Sequence, residues 1–369
     1  MKILYLTPNF ANYSSAYYQL DFISALQKTN KVILWGPGYK IFNKKLNLDQ
    51  IFNLLDLNEK DLICVGHGWL SDIPQNYIHK SKRYTWLNEI DRNKISELEF
   101  CAKYDFANHK GKKICFLNKE YVSLKKKLLF IKNGKFDLAL SHYDKCNEFD
   151  KIAETKFKFF PCAVDETKFK FTKQKKIYDL FFSGLLQNPY IRKIDINSFN
   201  LRKKIQKELF YTLYNYPIKL NKVYKNKRIY WNAYTDNAII NKLLKLTNKY
   251  KKIAFSDYTK LFCSSKATLN TLSPYNLIGP RYFECMILGS INFCEESNHY
   301  NKLFEKYKHY VPFKKNLEDF KEKLNYATSD SKDLDIIRNV AYEKVMKEHT
   351  YGVRAKDFTY YAKNINDYK

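Results

Sequence analysis

"GPRYFECMILGSINFCEES", residues 279–297, decides how this chain is read. A Gly-Pro pair breaks the chain, and Pro280 suits the first position of a helix, where its missing N–H costs nothing. An apolar run follows, Gly289 stops it, and "SINFCEE" (290–296) reads as a short buried strand. "ATLNTLS" (267–273), just before, reads as another. Strand, helix and strand in succession form the repeating unit of a parallel sheet. In such sheets ligands bind beyond the carboxyl ends of the strands. The spacing puts Arg281 and Glu284 on the first turn of the helix. The N–H groups around Tyr282 and Phe283 lie at the same end, and a helix N-terminus binds phosphate through such donors and its dipole. Arg281 adds a positive fork, and a carboxylate such as Glu284 accepts two hydroxyl protons well. A ribose carrying a diphosphate needs both. The competing reading is a helix with a solvent-exposed Arg and a Glu that favours its own N-terminal dipole. These two residues alone favour the second reading, and the loop context around them brings the two level.

Working outward, the pattern repeats. "KILYLTPNF" (2–10), "KVILWGPG" (31–38), "DLICVGHGWL" (61–70), "KRYTWLNEID" (82–91), "KKICFLNKEY" (112–121) and "FDLALSHYD" (136–144) read as short apolar strands. "SSAYYQLDFISALQKTN" (14–30) reads as a helix with Tyr17, Leu20, Ile23 and Leu26 on one face. "FKFFPCAVDETKFKFTKQKK" (157–176) is a strand, a turn and a Lys-rich connector, which places a domain boundary at about 170–176. Beyond it "IYDLFFSGLLQN" (177–188) is a buried strand, and helices are expected at 201–215, 316–330, 331–350 and 352–367. The expected fold is α/β, with two Rossmann-like doubly wound domains facing a central cleft. Residues 1–172 form the first domain and 173–350 the second. The closing helix, 351–369, carries Val353, Phe358, Tyr361 and Ile365 at spacings that can share one face.

With 369 residues, 45% hydrophobic and 17% aromatic, the chain is long and apolar enough for two cores. No run approaches the roughly 18 apolar residues of a membrane span. The opening "MKILYLTPNFANYSS" goes straight into a strand-like run without a basic leader, so a cytoplasmic protein is expected. Eight cysteines are scattered with no C-x-x-C pair, which reads as buried free thiols. The net charge of +27 invites an anionic partner: nucleic acid, membrane surface or phosphorylated substrate. However, only eight of the basic residues are Arg, and base readout and bidentate phosphate clamps favour Arg over Lys. A Lys excess alongside Asn, Ile, Tyr and Phe also follows from base composition alone. No nucleic acid partner is expected, and peripheral contact with an anionic membrane is compatible with the charge.

"GPRYFECMILGSINF" resembles the Arg-x-Phe-Glu-x-x-x-x-Gly segment of GT-B glycosyltransferases of the CgeB-like (spore-maturation-like) group, with a C-terminal domain of the family 1/4 type. It is also similar to the second half of the E-x7-E motif of retaining GT-B enzymes. "FFPCAVDETKF", "YDLFFSGLL" and "YEKVMKEHTYGVRAKDF" resemble further segments of that group, in the same order. The resemblance covers most of 155–360 and is only architectural in 1–150. It implies that Glu284 holds ribose hydroxyls, that the backbone at 281–283 with Arg281 holds a diphosphate, and that Gly184 lets its loop approach the donor phosphates. It also implies that the closing helix crosses back onto the first domain, which would be the acceptor side. The first Glu of E-x7-E falls on Leu277, so that donor-sugar contact is absent or made elsewhere.

Other residues carry weaker signals. His67, between two glycines after a strand, has the chemistry of a general base toward an acceptor hydroxyl, or of a hydrogen-bonded turn imidazole. Glu89 and Asp91, and His142 with Asp144, follow strands and read more readily as solvated loop residues than as bases. Arg192 and Lys193 could neutralise a leaving phosphate, and Glu295 and Glu296 follow the strand after the key helix. No His or Cys cluster at metal spacing is present. The expectation is therefore a metal-independent glycosyltransferase with no bound cofactor. It would move a sugar from a nucleotide-diphosphate sugar to a hydroxyl of a glycan or lipid-linked acceptor in cell-surface polysaccharide synthesis. The alternative is a non-catalytic basic α/β protein that binds nucleic acid.

Overall fold

The computed structural model describes residues 1–11, 17–66, 99–121, 123–186, 196–212, 219–234, 238–246 and 253–368. The strand expected at 82–91 lies outside them. The chain divides into two compact units. One is built from residues up to Cys162 together with Tyr351–Lys369, the other from Ala163–Thr350.

The first unit holds β1 (Lys2–Leu6), α1 (Tyr17–Gln27), β2 (Lys31–Trp35), α2 (Leu48–Leu54), β3 (Leu62–Val65), β4 (Lys113–Leu117), α3 (Leu124–Asn133), β5 (Leu138–Ser141), α4 (Asp150–Ala153) and β6 (Lys156–Phe159). Its sheet runs β2-β1-β3-β4-β5-β6 and every pairing is parallel. "LICV" and "KICFL" are buried at every position, as parallel strands covered on both faces must be. The chain builds outward from β1 in one direction and then in the other, so the strand order reverses between β1 and β3. One face packs around Trp35, whose indole N–H donates to the Tyr104 hydroxyl at 3.0 Å. On α2, Asn47 and Gln50 close a reciprocal cap at its start.

The second unit holds β7 (Tyr178–Leu185), α5 (Ile196–Leu209), β8 (Phe210–Thr212), β9 (Lys219–Lys222), β10 (Ile229–Tyr234), α6 (Ala238–Leu246), α7 (Phe255–Cys263), β11 (Ser265–Asn270), α8 (Pro280–Ile287), β12 (Ile291–Glu295), β13 (Val311–Phe313), α9 (Phe320–Ala327) and α10 (Lys332–Glu348). Its five-stranded sheet runs β10-β7-β11-β12-β13, again all parallel. The helix expected at 201–215 stops early. From Phe210 the chain turns into a strand that pairs antiparallel with β9. "FYT" is rich in strand formers, and Phe210 packs on Trp231 at 5.8 Å, so tertiary packing overrides helix continuation. Strand β10 was not anticipated from the sequence.

Helix α11 (Tyr351–Lys363) belongs to the first unit. Phe358 is fully buried, stacked on Phe116 at 6.1 Å and edge-on to Phe22 at 5.8 Å. Arg354 Nε donates to the Pro161 carbonyl at 2.9 Å, and Asn30 Nδ2 to Thr359 Oγ1 at 3.0 Å. Its buried stripe is Tyr351, Arg354, Ala355, Phe358 and Ala362. Val353 and Tyr361, expected on that face, are only half-buried, because the helix is rotated toward its small residues.

Candidate functional site

In the second unit β7, β11 and β12 end at Leu185, Asn270 and Glu295, and α8 starts beside that edge. Gly279 caps α8 in an extended conformation and Pro280 follows in its first turn. At the other end the helix closes with Gly289 in the left-handed region, at φ 67°. Ser290 N donates to Cys285 O at 2.9 Å and Gly289 N to Met286 O at 3.1 Å, a paired closure that suits Gly at this position.

Arg281 lies over the end of β7. A Cβ on Gly184 would sit 3.1 and 3.4 Å from the two terminal guanidinium nitrogens, so the missing side chain is what lets the arginine approach this backbone. Glu284 is fully buried, and its Oε2 accepts from the Tyr258 hydroxyl at 2.9 Å. The Arg281 guanidinium lies near the same hydroxyl. Burial and Glu284 push the Tyr258 phenol up, and Arg281 partly offsets them. The Tyr282 and Phe283 side chains are core. The Tyr300 hydroxyl donates to that of Tyr282 at 2.7 Å, and Phe283 packs between Phe304 and His349. The Tyr282 N–H, expected to face a ligand, donates to the Gly279 carbonyl at 3.2 Å. Glu284→Gln keeps an acceptor for Tyr258, whereas Glu284→Ala strands a buried hydroxyl. The alanine variant is therefore expected to be less stable than the glutamine variant by about 1–3 kcal/mol in chemical denaturation.

A second guanidinium, missed from the sequence, joins Arg281. Arg202 on α5 donates through Nε to Thr271 Oγ1 at 2.5 Å and through one terminal nitrogen to the Leu185 carbonyl at 2.7 Å. Burial lowers its pKa, and the nearby Arg281 lowers it further. Among the described residues Arg202 makes no ion pair. Its signal in the sequence was slight: one of eight arginines, in a helix otherwise rich in lysine.

Glu295 is buried at the end of β12. Its Oε1 accepts from Leu272 N at 2.7 Å, and its Oε2 has no hydrogen-bond partner among the described residues. Burial pushes its carboxyl up from the ordinary 4.5 to about 7, against the Leu272 N–H, Lys315 and Arg202. The folded state thus holds this proton more tightly than the unfolded one. The stability this contributes is complete below about pH 4.5 and is lost as pH rises through about 7. Glu295→Gln is expected to flatten that fall by on the order of 3 kcal/mol. An unaltered pH–stability profile would count against it. Glu296, by contrast, pairs with Lys306. Leu277 is buried in a loop where Tyr275 and Asn276 both adopt positive φ.

In the first unit His142 ends β5. Its Nδ1 lies 2.7 Å from the Phe160 carbonyl. Burial pulls its pKa down, but Cys162, Glu120 and that carbonyl outweigh it and hold the imidazole up at about 9. It lines a cavity of about 30 Å³ with Tyr5, Gly66, Asn118, Phe160 and Cys162. Asp144 is half-buried nearby in sequence. His67, Glu89, Asp91, Arg192 and Lys193 lie outside the described residues. All eight cysteines are free and buried, and among the described residues no group of three or more His, Cys, Asp or Glu is placed to hold a metal ion.

Residues 216–359 match the glycosyl transferase-like family. None of the curated proteins matches the sequence. Among solved structures, a glycosyltransferase from Rickettsia africae aligns with 100% of this chain and 99% of its own at 11% identity, TM-score 0.60. Sucrose-phosphate synthase from Thermosynechococcus elongatus covers 100% of both at 9% identity, TM-score 0.58. Anabaena HepE, solved with UDP and glucose, covers 99% of this chain and 100% of its own at 11% identity, TM-score 0.54. At these identities the likeness is one of fold, and the fold is GT-B: two Rossmann-like α/β units. With the glycosyl transferase-like segment, that fold makes the chain a glycosyltransferase by class.

Proposed function

We propose that the protein moves a sugar from a nucleotide-diphosphate sugar to a hydroxyl of a glycan or lipid-linked acceptor, as a member of the CgeB-like group and without a metal ion. One observation carries the reading: Arg202 and Arg281 are held together at the carboxyl edge of the second sheet. Two like charges near one another repel, and an anion bound between them relieves that repulsion. A leaving diphosphate is such an anion, and two guanidinium forks beside a helix N-terminus can stabilise it as a metal otherwise would. Their half-buried setting at the strand ends favours a small anionic ligand over nucleic acid, whose phosphates are met on open surfaces. The solved structure of HepE with UDP and glucose supports the same class of donor. The acceptor belongs to the first unit, where His67 and Asp91 are the candidates to receive its hydroxyl proton; His142, held protonated at neutral pH, is placed to donate rather than to accept.

The test is a thermal-shift screen of UDP, GDP, CDP and dTDP, with and without a chelator. One nucleotide at about a hundred times its Kd should stabilise the protein by roughly 2.7 kcal/mol, undiminished by the chelator. No shift with any of the four would overturn the reading, and a shift abolished by the chelator would overturn metal independence.

A further inference from the structure

The opposite, amino edge of the second unit's sheet carries a feature that donor binding does not use. "KFKFTKQKKI" (168–177) leads into β7 with five lysines and no acid. From Lys170 to Ile177 it forms neither helix nor strand, and it is pinned from below. Phe169 is buried, and Lys176 turns inward to donate to the carbonyls of Cys263 and Gly289 at 2.8 Å each. Between these anchors the outward side chains alternate in kind. Phe171 and Ile177 are 48% and 44% exposed, and Lys170, Lys173 and Lys175 are exposed around them. Helix α7 adds Phe255, 50% exposed with its ring edge-on to Phe169 at 5.2 Å, and the exposed Lys260. Lys175, Ile177, Ile253 and Lys260 share the wall of a cavity of about 580 Å³, whose one carboxylate is Asp257. Among the described residues these four lysines (170, 173, 175 and 260) make no ion pair.

We infer that this face docks on an anionic lipid bilayer. Half-exposed Phe and Ile side chains can enter the boundary between headgroups and acyl chains. Strongly hydrated lysine ammonium groups stay at the level of the anionic headgroups. The charge is complementary, and each apolar group is flanked by lysine. The face lies at the start of β7, whereas Gly184 and Arg281 lie at its end, so docking leaves the donor edge of this unit open. The inference does not depend on which nucleotide sugar is used.

The experiment is co-sedimentation of the full chain with phosphatidylcholine vesicles, with and without a minority of phosphatidylglycerol. Binding is expected only with the anionic lipid and should fall with salt. Replacing Lys170, Lys173 and Lys175 by Glu should lower the partition coefficient at least about a hundredfold, some fivefold for each lysine lost and more for the carboxylates gained. Phe171→Ser should lower it further, with the melting temperature and nucleotide shift unchanged. The control reverses the exposed Lys44, Lys45 and Lys110 of the first unit and should change binding little. Equal loss in the control, no binding of the unaltered chain, or binding of an RNA oligonucleotide in place of vesicles would each overturn the assignment.

Discussion

Arg281→Ala is expected to weaken nucleoside diphosphate binding by roughly 1.5–3 kcal/mol, about ten- to a hundredfold, while binding of the bare nucleoside changes little. The reason is its position. The guanidinium lies over the glycine at the end of β7, next to the start of α8, where a phosphate would meet backbone donors and the fork together. Arg281→Lys keeps the charge but loses the planar fork, so it should recover only part of the loss. Arg202→Lys should act in the same direction, since it removes the second fork. Calorimetry with the diphosphate and the nucleoside in parallel decides the matter. Equal losses for both ligands would mean that Arg281 only holds Tyr258 and Glu284 in place.

The largest stability effect should come from the last helix. Ending the chain after Thr350 removes Phe358, Tyr351 and Ile365, all buried, and exposes Phe22, Phe116 and Phe160. Phe358→Ala alone should cost about 3–5 kcal/mol, a large share of the 5–15 kcal/mol that typically holds a domain. The truncation should cost more and leave the first unit open to protease. Hydrogen exchange at β1 and β4 is the direct measurement. Protection there equal to that of the full chain would show that α11 is an ornament on a self-sufficient unit.

Much of the fold was legible because parallel strands buried on both faces appear as uninterrupted apolar runs, as "LICV" and "INFCE" do. Strand β10 was not, because "IYWNAY" sits among lysines and asparagines and takes its order from pairing with β7. The start of α8 could be read from Gly279 and Pro280, which are local signals. The fate of Glu284 could not, because its partner Tyr258 lies 26 residues away on another helix. Arg202 was hidden for the same reason. Its contacts are with Leu185 and Thr271, 17 and 69 residues distant, and nothing in "LRKKIQKEL" singles it out from the lysines beside it.

The excursion of the chain from Cys162 to Tyr351 sets an order in time. During synthesis the first unit's strands leave the ribosome first, yet the aromatic face formed by Phe22, Phe116 and Phe160 lacks Phe358 until the whole second unit has followed. At about 5–20 residues per second, that wait is on the order of ten seconds or more. A nascent chain must therefore carry an unfinished hydrophobic face while its neighbour folds. The first unit to appear is the last to close, and a cell short of chaperones should lose this protein at that stage.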